Sequence, residues 1–184
     1  MNTDVGLILP ISRDQALANH MTTSDDISVR NELRAGDLGR IIALHGECYD
    51  ALPGFGLTFE AYVARTIAEY VLDTGAKGRI WLAEREGQLI GCTAIVLRDE
   101  DRGQLRWVLV DQSARGLGLG KRLVNDALQY CRDNGCKEIF LETTDGLPES
   151  QALYDALGFK IVSHESEMLW DGVRPLIHMK LEIN

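Results

Sequence analysis

Apolar residues along this chain fall either in short runs rich in strand formers or at helical spacing, and the switches between the two patterns mark out its elements. Ile27 to Leu33 predicts a first strand. Gly36-Asp37 then introduces a helix with Leu38, Ile41, Ile42, His45, Cys48 and Tyr49 on one side, and a second helix runs from about Thr58 to Leu72. Between them, Pro53, Gly54 and Gly56 break regular structure and leave Phe55 free to line a cleft. Ile80 to Glu84 and Leu89 to Leu97 flank the short turn Arg85-Glu86-Gly87-Gln88 and read as a hairpin, beside which Leu105 to Val110 can pair. Leu123, Val124, Ala127, Leu128 and Cys131 recur at helical spacing up to the stop at Asn134-Gly135, and Glu138 to Thr143 reads as the next strand. The crossover from Val110 to Glu138 should be right-handed and parallel. Pro148 starts a short helix ending at Gly158, and strands at about Lys160 to Leu169 and Pro175 to Ile183 follow. The fold class is α/β (α+β), with helices packed on a mixed sheet.

Residues 1–26 show no sustained period and end in Thr22-Thr23-Ser24-Asp25-Asp26, so they read as a partly disordered N-terminal arm ahead of one domain over 27–184. At 184 residues and 45% hydrophobic content, one domain with a substantial core is expected. The formal net charge of -9 opposes general affinity for nucleic acid or anionic membrane and favours cationic ligands. Cys48, Cys92, Cys131 and Cys136 form no C-x-x-C pair and have no histidine at metal-ligand spacing, so reduced thiols in a cytoplasm and no metal are expected. The apolar stretch Val5 to Ile11 is broken by Pro10, lacks a basic flank and is too short for a membrane span or a credible targeting segment.

Chemistry concentrates in Arg115-Gly116-Leu117-Gly118-Leu119-Gly120-Lys121-Arg122, where a strand turns into a helix through glycine. Free N–H groups of a first helical turn favour an anion, and the three glycines leave its approach open. Arg115, Lys121 and Arg122 add positive charge that suits a pyrophosphate. A Gly-x-x-x-x-Gly-Lys-Ser/Thr loop fits poorly, because Arg115 stands at its first glycine and Arg122 at its hydroxyl residue. The dinucleotide pattern Gly-x-Gly-x-x-Gly is closer, but Lys121 stands at its last glycine and the loop comes too late in the chain.

Arg/Gln-x-x-Gly-x-Gly/Ala is met at every fixed position by Arg115 to Gly120, and Leu153-Tyr154-Asp155-Ala156-Leu157-Gly158-Phe159 matches Leu-Tyr-x-x-x-Gly-Phe. In these two motifs, and in their order, the sequence resembles the GNAT superfamily of N-acetyltransferases. The wording between Arg34 and Tyr49 looks more loosely like the acetyltransferase half of proteins fused to MarR-type regulators. The resemblance implies a mixed, mostly antiparallel sheet of about six to seven strands with about four helices, and acetyl-CoA as acyl-donor substrate. It implies further that the backbone of Leu109 and Val110 pairs with the pantetheine arm like an added strand, and that the amides from Arg115 to Lys121 bind the pyrophosphate. The strand ending at Val110 and the strand from Glu138 must then splay apart.

Tyr154 stands where family members place a phenol that hydrogen-bonds the sulfur and protonates the leaving thiolate; a phenol with a pKa near ~10 is protonated at neutral pH. A lysine-type amine, with a pKa near ~10.4, must lose a proton before attack. Glu142 is the first candidate for that base, with an outward-facing strand carboxylate as its plainer reading; Glu47, His45 and ordered water are the alternatives. The family often has Asn seven residues before the motif tyrosine and Ala four before it, positions held here by Leu147 and Ser150. Ser150, or backbone near Thr144 and Asp145, would then substitute for the asparagine contact. The acceptor is expected along the two helices from Leu38 to Leu72 and the last hairpin, where Glu165, Glu167 and Asp171 with Trp170 suit a cationic or aromatic amine. These readings converge on acetyl transfer from acetyl-CoA to a primary amine of a small molecule or peptide, by direct attack in a ternary complex; the alternative is a non-catalytic acyl-CoA-binding sensor. Exposed strand edges are compatible with a homodimer.

Overall fold

The computed structural model describes residues 26–73, 77–99 and 101–183. The expected N-terminal arm therefore lies, apart from Asp26, outside the described residues. Seven strands form one sheet in the order β1-β2-β3-β4-β5-β7-β6: β1 Ser28–Arg30, β2 Lys77–Arg85, β3 Gln88–Asp99, β4 Arg102–Val110, β5 Glu138–Thr143, β6 Lys160–Leu169 and β7 Gly172–Glu182. Four α-helices accompany them: α1 Asp37–Tyr49, α2 Leu57–Leu72, α3 Leu119–Asp133 and α4 Pro148–Ala156. All neighbouring strands run antiparallel except β4 and β5, which are parallel.

The sheet is buried on both faces, which is why 80–83 and 90–96 are continuously apolar or buried instead of alternating. Ile80 and Leu82 point towards Ile41 and Leu44 of α1 and Ile67 of α2. Trp81 and Ala83, one residue out of phase, point towards Leu123, Val124, Ala127 and Cys131 of α3. Tyr154 and Phe159 join this second layer, so α4 lies on the α3 side. Burying a Leu, Ile or Val side chain contributes about 1.5–3 kcal/mol, and both layers are built from such residues. The stop after α3 is a double backbone turn: the N–H of Gly135 donates to Arg132 O at 3.0 Å and that of Cys136 to Cys131 O at 3.0 Å.

Several boundaries differ from the sequence reading. β1 ends at Arg30 instead of continuing to Leu33, β2 and β4 begin three residues before their apolar runs, at Lys77 and Arg102, β3 begins and ends beyond the apolar run, and β7 starts at Gly172 instead of Pro175. The first difference has a visible cause. After Arg30 the chain leaves the sheet because Asp37, only 1% exposed, draws in three groups. Its carboxylate accepts from Arg30 Nη1 and Nη2 at 2.7 Å each, from Arg40 Nη2 at 2.8 Å and from the Arg34 N–H at 2.7 Å. Arg30 and Arg40 also donate to Glu84 on β2, at 3.0 and 2.7 Å. This network ties β1, β2 and the start of α1 together. On α1, Leu44 is buried although it falls outside the expected apolar face, while Leu38, Ile42, Cys48 and Tyr49 are only half-buried.

Hydrogen bonding from Arg30 holds the Asp37 carboxyl well below the usual carboxylate range, against the opposing effect of burial. The resulting stability is complete above the unfolded-state pKa of about 3.9 and is lost as pH falls from there towards the depressed folded value. Asp37→Asn should destabilise the fold at neutral pH by about 3 kcal/mol, because it strands two guanidinium groups. In urea melts followed by circular dichroism, that difference should shrink below about pH 4.

Candidate active site

The site begins where the sheet comes apart. β4 and β5 pair only over Arg102–Gln104 and Glu138–Phe140. Just beyond, β4 carries one residue more than its other neighbour: Cys92 pairs with Leu109 and Ala94 with Arg106, so Trp107 and Val108 oppose Thr93 alone. Trp107 takes φ +48°, a conformation rare for a bulky residue, and its carbonyl is met by Cys92 Sγ at 3.1 Å. Such a bulge bends and twists its strand. The second half of β4 accordingly turns away from β5, and a cavity of about 660 Å³ opens between Gln104–Val108 and Leu141–Thr144. This is the splay that the sequence reading required.

At the end of β4, the Asp111 N–H donates to Ile90 O of β3 at 2.8 Å. Main-chain groups alternate in direction along a strand, so those of Val110 point to the open edge. The neighbouring Leu109 side chain is buried against α1 and α2. A short 3-10 turn, Gln112–Ala114, is capped by the Asp111 carboxylate, which accepts the Ser113 N–H at 2.8 Å. The glycine loop follows. Gly116 and Gly118 have φ +76° and +74°, and a Cβ at either would meet nothing within 4 Å. Their glycine character therefore serves backbone conformation and an open approach, not packing. The first intrahelical bond of α3 runs from Arg122 N–H to Gly118 O at 3.0 Å, and no side chain caps the helix. The N–H groups of Leu119, Gly120 and Lys121 thus face outwards without helical partners. Leu119 is buried beneath them and Leu117 packs half-buried against the same layer, whereas the Arg115, Lys121 and Arg122 side chains are exposed. Arg115 has only an exposed Glu149 nearby, at 3.8 Å. These open amides and surplus cations match a diphosphate in shape and charge.

Tyr154 and Ser150 are one helical turn apart on α4 and line the same cavity, together with Leu147. Tyr154 is 7% exposed and stacks edge-on against Phe159 at 5.8 Å. Burial pushes its phenol further above the ordinary value, so it keeps its proton at neutral pH. Glu142 lines the opposite wall from β5. Its Oε2 accepts from Gln104 Nε2 at 3.4 Å, and its Oε1 lies 3.8 Å from His178 Nδ1. Glu142 is exposed, as the plainer reading of an outward-facing strand carboxylate has it, and it also lines the cavity where the strands part.

The other two base candidates fare differently. His45 lines the cavity but is 3% exposed, and its Nδ1–H donates to Ile41 O at 2.8 Å. Burial pulls its pKa down to about 4, which leaves it neutral and weakly basic. Glu47 is exposed and is absent from the cavity lining.

The sequence reading placed Phe55 in a cleft and Trp170 beside the acceptor, but it did not single out Phe59, Tyr62, Arg65 or Arg106 on the same wall. Phe55 packs on Tyr49 at 5.0 Å and on Trp170 at 5.0 Å, and Phe59 meets Trp170 at 4.8 Å. Arg174 holds the Phe55 loop against the last hairpin by donating to Pro53 O at 2.6 Å. Of the expected hairpin acids, Asp171 accepts from the Thr58 hydroxyl, while Glu165 and Glu167 are exposed along β6 and stand outside the cavity. Arg65 and Arg106 do line it. An arginine within the otherwise apolar run Leu105 to Val110 was the available signal.

Among the described residues, no group of His, Cys, Asp and Glu is arranged to hold a metal, and no helix is long and apolar enough to cross a membrane. Human N-acetyltransferase 8B is 35% identical over 95 residues, a match covering 49% of this chain and 42% of that protein. The chain thus spans less than half the length of that relative. Glucosamine 6-phosphate N-acetyltransferase of Trypanosoma brucei brucei is 27% identical over 157 residues, covering 82% of this chain and 99% of that enzyme. A GNAT family acetyltransferase from Elizabethkingia anophelis, solved with acetyl-CoA bound, shares the fold with a TM-score of 0.64 at 16% identity, over 86% of this chain and 99% of that one. Residues 41–159, which contain most of α1, the parted strands, the glycine loop and α4, match the model of the acetyltransferase (GNAT) family, and the chain belongs to that family.

Proposed function

We propose that this protein transfers acetyl from acetyl-CoA to a primary amine of a small molecule or peptide, by direct attack while both substrates are bound. The observation that carries the reading is the nearness of three features: the parted strands and the buried phenol of Tyr154, which line one cavity, and the uncapped helix start behind two left-handed glycines, whose Gly120 adjoins Val110 of β4 and Leu153 of α4. Val110 supplies main-chain groups to the pantetheine arm, with Leu109 holding that strand end against α1 and α2. The amides from Arg115 to Lys121, framed by Gly116, Leu117, Gly118, Leu119 and Gly120, hold the diphosphate, and Arg115, Lys121 and Arg122 neutralise it. Ser150 stands in for the family's asparagine at the same arm.

In the reaction the amine nitrogen forms a bond to the acetyl carbon as the carbon–sulfur bond breaks. Before attack the ammonium loses one proton to Glu142, directly or through water; the departing thiolate takes the Tyr154 proton, and the second proton shed by the nitrogen restores the phenol through water. Names of relatives agree in chemistry: the trypanosomal enzyme is named for an amino sugar, whose acceptor is a primary amine.

Gly118→Glu should weaken CoA binding by roughly 10-fold or more in calorimetry, since it forces a side chain into a left-handed conformation and places a carboxylate at the diphosphate. An affinity equal to that of the wild type sinks the proposed diphosphate site. Tyr154→Phe should lower kcat on the order of 100-fold at unchanged CoA affinity. If Tyr154→Phe turns over normally, the phenol is not the acid.

A further inference from the structure

The acceptor side of the cavity contains a charge arrangement that acetyl transfer itself does not need. Arg65 of α2 and Arg106 of β4 bracket Tyr62: Arg106 Nη2 donates to the Tyr62 hydroxyl at 3.2 Å, and the Arg65 guanidinium carbon lies 5.6 Å from the Tyr62 ring centre. Neither makes an ion pair with a carboxylate among the described residues, although Arg30, Arg40, Lys137, Arg174 and Lys180 all do so. Of the charged residues lining the cavity, Arg65 and Arg106 are basic and Glu142 alone is acidic. In a chain of net charge -9, that local excess of positive charge runs against the composition.

The placement also separates the charges. Gln104 and Arg106 share one face of β4, about 7 Å apart along the strand, and Gln104 reaches Glu142. Glu142 therefore sits at the Gln104 end, where the strands part and where Arg98 of β3 donates to Gln104 Oε1 at 2.8 Å, and the two cavity-lining arginines sit one side-chain repeat further along. Aromatic rings from Tyr49, Phe55, Phe59 and Trp170 cover the space beside them.

Resting on the acetyl-transfer reading above, we infer that the acceptor is an amine that also carries an oxyanion, a carboxylate or a phosphate, which Arg65 and Arg106 bind while the ammonium lies towards Glu142. The expectation of a cationic or aromatic amine, drawn from net charge and from Glu165, Glu167 and Asp171 with Trp170, narrows in this proposal to an amine that also carries an anion. The oxyanion is unchanged by the reaction; only the nitrogen exchanges a proton for the acetyl group.

The test is steady-state acetylation at saturating acetyl-CoA with matched pairs of amines: phenylalanine against phenylalaninamide, and O-phosphoethanolamine against ethanolamine. The anionic member of at least one pair should show a kcat/KM roughly 10-fold or more above its neutral counterpart, as expected for a charge-assisted contact. Which pair discriminates identifies carboxylate or phosphate. Arg65→Gln and Arg106→Gln should each raise KM for the preferred anionic amine by roughly 10-fold and reduce that preference, at unchanged KM for acetyl-CoA. Arg65 is on the surface, so its variant retains the fold even if Arg106→Gln does not. The inference is overturned if the neutral member is used equally well in both pairs, if turnover is confined to amines without an anionic group, or if the preference survives both substitutions. Binding of CoA without acetylation of any primary amine in a broad panel overturns the acetyl-transfer reading instead, and this inference with it.

Discussion

Everything in the proposed site depends on where the parallel ladder between β4 and β5 stops. Three residue pairs hold the strands together, and the extra residue at Trp107 and Val108 then carries β4 away. Beyond Gln104 and Phe140 each strand keeps its outer neighbour, β3 for β4 and β7 for β5, so both present unpaired main-chain groups to the gap. Buried amides and carbonyls need hydrogen bonds, and an open strand edge facing a cavity is completed by water or by an extended ligand. A single bulge thus converts a continuous sheet into a receptor for a linear, amide-bearing chain. It also brings α3, with its uncapped amides, to one end of the gap and α4, with Tyr154, to its flank.

Electrostatics divide the cavity along the same line. The donor end is furnished by backbone dipoles and exposed cations, which suit a diphosphate without burying a permanent charge. Near the chemistry, burial keeps Tyr154 protonated and His45 neutral. Glu142 alone supplies an acidic group there, with Gln104 and His178 at its oxygens. On the acceptor side, two arginines stand among aromatic rings. A chain rich in carboxylates has kept them off the walls of this cavity apart from one, while Arg30, Arg40 and Arg174 pair with carboxylates that hold strands and loops in place.

The donor half of this arrangement was legible in the sequence because it is local. Arg115 to Arg122 and Leu153 to Phe159 are short runs whose spacing itself implies a backbone conformation, and the strand Glu138–Thr143 and the helix starting at Pro148 are found where periodicity and proline put them. The acceptor half is not local. Phe55, Phe59 and Trp170 come together from positions more than a hundred residues apart, and Arg174 reaches Pro53 across the same distance. The bulge at Trp107 carries no glycine to announce it. Asp37 looked like a helix-start residue, yet its energetic role is to gather Arg30 and Arg40 from two elements, and that pairing shortened β1.

The contrast between the two halves has a physical basis in what each must recognise. A diphosphate and a pantetheine arm are constant, so amides and glycines fixed by local backbone geometry suffice to meet them. An acceptor is recognised by side chains, and here the side chains that shape its space rest on contacts between the α1–α2 loop and the β6–β7 hairpin. Those contacts are aromatic stacking and a few hydrogen bonds near the surface, namely Phe55 on Trp170, Arg174 on Pro53 and Thr58 on Asp171. The loop and hairpin can therefore change in sequence without disturbing the two buried layers that hold β4, β5 and α3. In the proposed reading, donor chemistry is anchored in the core and acceptor selection is delegated to its rim.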